Sequence, residues 1–181
     1  LYIDVVRCDI EIATKQEEKN RTLIPPGIDA NMHDGILRIR ENENSNHPRL
    51  IRLYLDPIEM DEVFPKVVVH QSAGNFVLQA EAISYLEVKK QVGKCKIVKT
   101  SIEQGELFLS RCSLRIRECY GDFLKLQLSK CNCYLAKSYF HDLLLQAHEA
   151  KLAGTLNRGV MWKLQQTGKK PIYLERLDVK Q

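Results

Sequence analysis

The sequence predicts a mainly β (α+β) fold: an antiparallel β-barrel or closed sandwich with one short internal helix and two C-terminal helices. Three observations predict it. Residues 1 to 136 are dominated by short stretches of alternating apolar and polar residues bounded by turn residues. After Lys137 the apolar period lengthens to that of a helix. Two extended segments on either side of Gly121 match their apolar faces as a hairpin and change buried side together.

Taken in order, LYIDVVRCDIEIA reads as a strand, and KQEEKNRTLIPPGIDANMHDG, broken by Pro25, Pro26 and Gly27, as a long loop. Strands are expected at Ile36 to Arg40, Leu50 to Leu55, Lys66 to His70, Phe76 to Glu81, Lys96 to Ser101, Leu107 to Arg117 and Phe123 to Leu135. ENENSNHP, residues 41 to 48, reads as a turn, and EAISYLEVKKQV, residues 81 to 92, as a strand. Asp56, Pro57 and Glu59 supply a capping acceptor, a φ-fixed first-turn residue and a reaching carboxylate for a short helix that ends before Pro65. Ser138 caps a helix whose Phe140, Leu143, Leu144 and Ala147 form one stripe and whose stop is Gly154. Thr155 caps a second helix with Leu156, Val160, Met161 and Leu164, closed by Gly168, where Met161 and Trp162 serve as packing residues. Pro171 opens a final extended segment. The whole reads as a single domain, residues 1–181, β-rich over 1–136, helical over 138–168 and extended over 171–181. No repeat at solenoid spacing stands out.

The hairpin follows from CYG at 119 to 121, with Gly121 as the left-handed residue of a three-residue loop. That loop sets Ile116 against Leu124, Leu114 against Leu126 and Cys112 against Leu128. Both strands then switch buried face near Ser110 and Lys130, as a sheet does at a corner. The outward side would hold Arg111, Arg115 and Arg117 opposite Ser129, Lys125 and Phe123, with Tyr120 at the tip.

Four of the six cysteines lie in this stretch. The spacing C-x6-C-x11-C-x-C is not two close pairs of zinc ligands, and the hairpin register keeps Cys112 off the side used by Cys131 and Cys133. His141 and His148 would stand roughly 10 Å apart along a helix. No metal, cofactor or disulfide is therefore expected, and the thiols read as small core residues of a reduced, intracellular chain, cytoplasmic or nuclear. The sequon Asn20-Arg21-Thr22 and the even cysteine count are the features that favour secretion instead. The N-terminus has no Met and no signal pattern, so the chain reads as a piece of a larger protein, and no apolar run approaches the ~20 residues of a membrane helix.

Hydrophobic residues make up 44% and charged residues 28%, a globular composition. Charge is unevenly spread: nine Lys and Arg face fourteen Asp and Glu up to Tyr85, but eleven face five from Leu86 to Lys137. A basic face attracts phosphates or acidic partners. Together with Phe123 and Tyr120, the cations Arg111, Arg115, Arg117 and Lys125 have the chemistry of a surface on which single-stranded nucleic acid lies. The sequence lacks G-x-S-x-G, H-E-x-x-H, a phosphate-cradling glycine loop and a dinucleotide fingerprint, so the expected function is non-catalytic binding of a phosphate-bearing ligand. The alternative is a protein-interaction scaffold in a larger assembly; in layout alone, strands followed by a closing helix, this resembles pleckstrin-homology-like domains, and no residue motif carries a family assignment.

Overall fold

The computed structural model describes residues 1–14, 22–34, 36–41, 49–55, 66–157, 161–169 and 172–177, with side chains up to Thr155 and again over 163–169. The helix expected from Asp56 to Pro65, the turn at 42–48, Val160, residues Asn20 and Arg21 of the sequon, and the side chains of Leu156, Met161 and Trp162 lie outside these. Within them every element is a strand: β1 (Tyr2–Thr14), β2 (Ile28–His33), β3 (Ile36–Glu41), β4 (Arg49–Leu55), β5 (Lys66–Ala73), β6 (Asn75–Gln79), β7 (Ala82–Lys90), β8 (Gly93–Val98), β9 (Ser101–Ser110), β10 (Cys112–Arg117), β11 (Tyr120–Ser129), β12 (Asn132–His148), β13 (Lys151–Asn157), β14 (Met161–Thr167) and β15 (Ile172–Leu177). Among the described residues no helix is long and apolar enough to cross a membrane.

The strands pair in parallel, which overturns the antiparallel barrel. Segments β10 and β11 do not form a hairpin. Instead β10 lies between β8 and β12, and β11 between β9 and β12. Lys96 aligns with Arg115 and then Tyr134, and Ser101 with Tyr120 and then Tyr139, each step spanning 19 residues. The internal repeat that the sequence conceals is thus one rung of a β-solenoid. Each rung contributes a strand to one sheet (β5, β7, β9, β11, the second half of β12, β14) and a strand to a second sheet (β6, β8, β10, the first half of β12, β13, β15). Strands β1 and β12 run through both sheets and join them. Parallel neighbours need a crossover of a dozen or more residues, commonly a helix; here the opposite sheet's strand is the crossover. At the N-terminal end β3 and β4 stack on the far side of β1, and β2 covers β3 as an antiparallel edge, which blunts one open end of the ladder.

Inward side chains stack in columns. Val88, Leu107, Leu126 and Leu145 form one in the first sheet, and Phe76, Cys95, Leu114, Cys133 and Leu152 one in the second; all are buried. At full burial each such side chain contributes about 1.5–3 kcal/mol. One inward column is polar at its start: Lys90, buried, donates to Gln71 Oε1 at 2.7 Å and to the Gly74 carbonyl at 2.5 Å, which satisfies an ammonium that burial pushes toward a lower pKa.

Among the described residues the two C-terminal helices are replaced by β12, β13 and β14. In β9, β11 and the second half of β12 two consecutive residues face outward, Glu103 and Gln104, then Asp122 and Phe123, then His141 and Asp142. This irregularity spaces the buried Phe140 and Leu143 three apart before alternation resumes at Leu145 and Ala147. A three-residue step beside Leu144 imitates the helical period. Gly154 is no helix stop; it lies in β13, where a Cβ would collide with the Leu135 carbonyl. Gly121 is likewise not a left-handed turn residue. It lies in β11, where a Cβ would strike the carbonyl oxygen of Ile102 one rung below.

The left-handed positions are the corners, and they also recur at the rung spacing. Lys99, Glu118 and Lys137 have φ of 48°, 54° and 48°, and Arg111, Lys130 and Glu149 have φ of 50°, 54° and 48°. Non-glycine residues are costly there, by roughly 1–2 kcal/mol each, so something must hold them. After each corner comes a small buried residue: Thr100, Cys119 and Ser138 in one column, Cys112, Cys131 and Ala150 in the other. Their hydroxyls and thiols donate to the carbonyl two residues back, at 2.9 Å for Thr100, 3.3 Å for Cys119, 2.9 Å for Ser138, 3.1 Å for Cys112 and 3.2 Å for Cys131. They also accept from the rung below: Ala80 N donates to Thr100 Oγ1, Cys119 N to Ser138 Oγ and Cys112 N to Cys131 Sγ. Cys112 and Cys131 therefore share one column, against the separation the hairpin imposed. These thiols are corner fasteners.

Cys119 does the work of a hydroxyl between Thr and Ser neighbours, so Cys119→Ser is expected to change stability by less than about 0.5 kcal/mol. Cys119→Val, which loses the donor, is expected to cost about 1 kcal/mol or more. Urea unfolding of the two variants measures the difference.

Candidate functional site

Outward residues of the solenoid also form columns, and rung stacking sets them ~4.8 Å apart. On the second sheet Lys94, Ser113, Asn132 and Lys151 make one, and Lys96, Arg115 and Tyr134 another. Arg117 stands two residues beyond Arg115 on β10, on the same face. All eight are exposed and most line a shallow depression of about 540 Å³. The Arg115 guanidinium lies 5.5 Å from the ring centre of Tyr134, itself 43% exposed and so open on its outer side.

The six residues singled out from the sequence do not converge. Arg115 and Arg117 share the second sheet. Lys125 and Phe123 belong to β11 on the first sheet, so Lys125 does not stand opposite Arg115, nor Phe123 opposite Arg117. Arg111 is at a corner, and Tyr120 stands just past another, 55% exposed. Lys125 is held by Glu106 at 3.3 Å and lies 5.4 Å from the Phe108 ring. Arg117 is paired with Glu118 at 2.9 Å. Lys94, Lys96 and Arg115 enter no ion pair among the described residues. Lys96 directly beside Arg115 is therefore a like-charge pair across neighbouring strands, which destabilises a sheet unless an anion compensates it. Hairpin reasoning missed Lys94, Lys96, Asn132, Tyr134 and Lys151; the signal that finds them is an offset of one rung, or two for Lys151, from Ser113 and Arg115.

The first sheet has the larger groove, about 740 Å³, running along the solenoid axis from Asp4 to Thr167. At its N-terminal end a connected polar cluster stands on three rungs. His70 Nδ1 and the Tyr2 hydroxyl are 3.2 Å apart, and His70 Nε2 is 3.0 Å from Glu87 Oε1. Lys89 pairs with Glu87 at 2.7 Å, and the Tyr85 hydroxyl donates to its other oxygen at 3.2 Å. Burial works against ionisation of Glu87, but hydrogen bonds from Lys89, His70 and Tyr85 outweigh it and hold the carboxyl below its ordinary range. Burial, then the Glu87 charge, pushes the Tyr85 phenol up.

The cysteines belong to the frame. Burial pushes Cys112 up to about 11 and Cys95 up to about 12, and raises Cys119, Cys131 and Cys133 as well. At neutral pH they are thiols, the protonated form that donates at the corners. Compared with protein-family models, curated proteins and solved structures, the chain shows no match.

A carboxyl whose folded pKa is depressed contributes stability that is present above its unfolded value, 4.5, and is lost as pH falls through the folded value. Glu87→Gln is therefore expected to lower stability at neutral pH and to flatten the acid limb below pH 4.5. Thermal unfolding followed across that range tests this; parallel limbs for the two proteins contradict it.

Proposed function

We propose that the chain is a non-catalytic binding scaffold whose second sheet holds a phosphate-bearing chain, single-stranded nucleic acid in the first place. One observation carries the reading: Lys96 and Arg115 stand side by side on adjacent parallel strands, with Lys94 beside them and no carboxylate paired to any of the three among the described residues. A phosphate lying across β8 and β10 relieves that repulsion. Tyr134, one rung on, offers a ring face for a base, and Ser113 and Asn132 offer hydrogen bonds to sugar or base edges. Ligand direction follows from the columns, along the solenoid axis rather than along a strand.

The neighbouring rungs limit the patch. Toward the N-terminus Asp9 accepts from the Asn75 backbone N–H, and Glu11 pairs with Arg52 at 2.7 Å, so carboxylates are present there and Arg52 is balanced. A second reading, a protein partner at the N-terminal end, is supported by the exposed Leu23, Met32 and Ile36 around β2 and β3. Nuclease treatment separates the two readings, since it releases a nucleic acid and leaves a protein contact intact.

Fluorescence anisotropy with a labelled oligothymidylate tests the main reading. Affinity is expected to fall as salt rises, with each reversed cation reducing the logarithmic slope by about 0.7. Lys96→Glu with Arg115→Glu should abolish binding, while Lys125→Glu, on the other sheet, should leave it within about twofold. Equal loss from Lys125→Glu, or full affinity in a folded double variant, contradicts the reading.

A further inference from the structure

We infer that the groove of the first sheet is a separate binding site for an extended, uncharged, polyhydroxylated chain, a neutral glycan. Its shape is that of a polymer site. One wall is the column of Phe108, Gln127, Gln146 and Gln165, and the floor beside it is stepped by Ser110 and Ser129, so the trough follows the axis over successive rungs.

Charge sets the ligand class. The lining lysines and aspartate are Asp4, Lys89 and Lys90. Lys90 is buried on Gln71 and the Gly74 carbonyl, and Lys89 is paired with Glu87. From Phe108 to Thr167 the lining carries no Asp, Glu, Lys or Arg, so a polyphosphate finds no counter-charge there. An extended peptide is disfavoured for a different reason. Strand addition needs an open edge, whereas the trough lies on the face of a sheet whose backbone groups are committed to the rungs on either side.

Hydrogen bonding matches hydroxyls. Gln127 Nε2 donates to Gln146 Oε1 at 2.5 Å, and Gln146 Nε2 donates to Gln165 Oε1 at 2.9 Å. A carboxamide has two N–H donors and an oxygen with two acceptor sites. The ladder uses one of each on Gln146 and fixes its orientation, leaving one donor and one acceptor to the groove. That pair is what a hydroxyl, at once donor and acceptor, requires. The Ser110 and Ser129 hydroxyls add further partners on the floor, and the Phe108 ring, engaged by the Lys89 and Lys125 ammonium groups at 5.7 and 5.4 Å, ends the array. The array repeats with the rungs, every ~4.8 Å, and so suits a chain of similar units rather than a single small molecule.

The probe is a panel of neutral hexasaccharides built from glucose, xylose, mannose and N-acetylglucosamine, titrated at millimolar concentration into the isotope-labelled chain and followed by amide and side-chain carboxamide shifts. At least one is expected to move Gln127, Gln146 and Ser129 signals, with an affinity that salt leaves unchanged. Ser129→Trp, which fills the trough, and Gln146→Leu, which breaks the ladder without adding bulk, should each weaken it about tenfold or more. Lys96→Glu with Arg115→Glu should leave it intact, which keeps this site distinct from the one on the second sheet. Absence of shifts with every hexasaccharide, shifts mapping elsewhere, or undiminished affinity in a folded Gln146→Leu variant overturns the assignment. Preferential occupation of the trough by an extended peptide does so too.

Discussion

Parallel strands stacked in register leave little slack: from β5 to β14 the rungs close in 19 residues, and where the count departs from that, at Leu156 beside Ser138, the register slips by a residue. The rest of the molecule follows from that constraint. The main-chain ladder continues through the corners, where Lys99 N donates to Arg117 O, Glu118 N to Ala136 O, Arg111 N to Ser129 O and Lys130 N to His148 O. Regular closure explains why strained φ values recur at equivalent positions and why a small residue bearing a donor follows so many of them. Thr, Cys and Ser are interchangeable in this role because each offers one X–H group on a short stem. The cysteine-rich stretch at 110 to 137 is thus the part of the sequence where two successive rungs both use thiols for this purpose.

The same constraint manufactures surfaces. Whatever stands outward on one rung is repeated in position, though not in identity, on the next, so chemistry accumulates in straight lines along the axis. The second sheet accumulates cations around Lys96 and Arg115; the first accumulates carboxamides and hydroxyls from Gln127 onward. The two faces point away from each other, and the side chains they present differ in charge. A scaffold of this kind needs no concave pocket between domains to present a binding site, because a line of side chains on a rigid ladder is already preorganised.

Between Lys66 and Leu135 most strand positions and inward residues were legible in the sequence because alternation reports burial directly, whereas β2, read as loop, and β12 to β14, read as helices past Lys137, were not. The paired change of buried face near Ser110 and Lys130 was legible too: Arg111 and Lys130 are the same corner on consecutive rungs. Alternation does not name a strand's partner, and a closing glycine beside a short polar turn suggested the nearest one. The repeat was hidden because its columns keep size and polarity while changing identity, as in Thr100, Cys119 and Ser138, or Phe76, Cys95, Leu114 and Cys133. The outward pair His141 and Asp142 in β12 then shifted the phase enough to imitate a helix at Phe140 and Leu143. Of the candidate site, Arg115 and Arg117 were found from their own strand; Lys94, Lys96 and Tyr134 could not be, since only the rung offset brings them alongside.

Interstrand nuclear Overhauser contacts in the isotope-labelled chain test the register most directly. The solenoid predicts backbone contacts linking Leu107 to Leu126 and Leu126 to Leu145, and linking Lys96 to Arg115 and Arg115 to Tyr134. Cross-strand contacts between Leu114 and Leu126 and between Ile116 and Leu124, the pattern of an antiparallel hairpin closing at Gly121, contradict it.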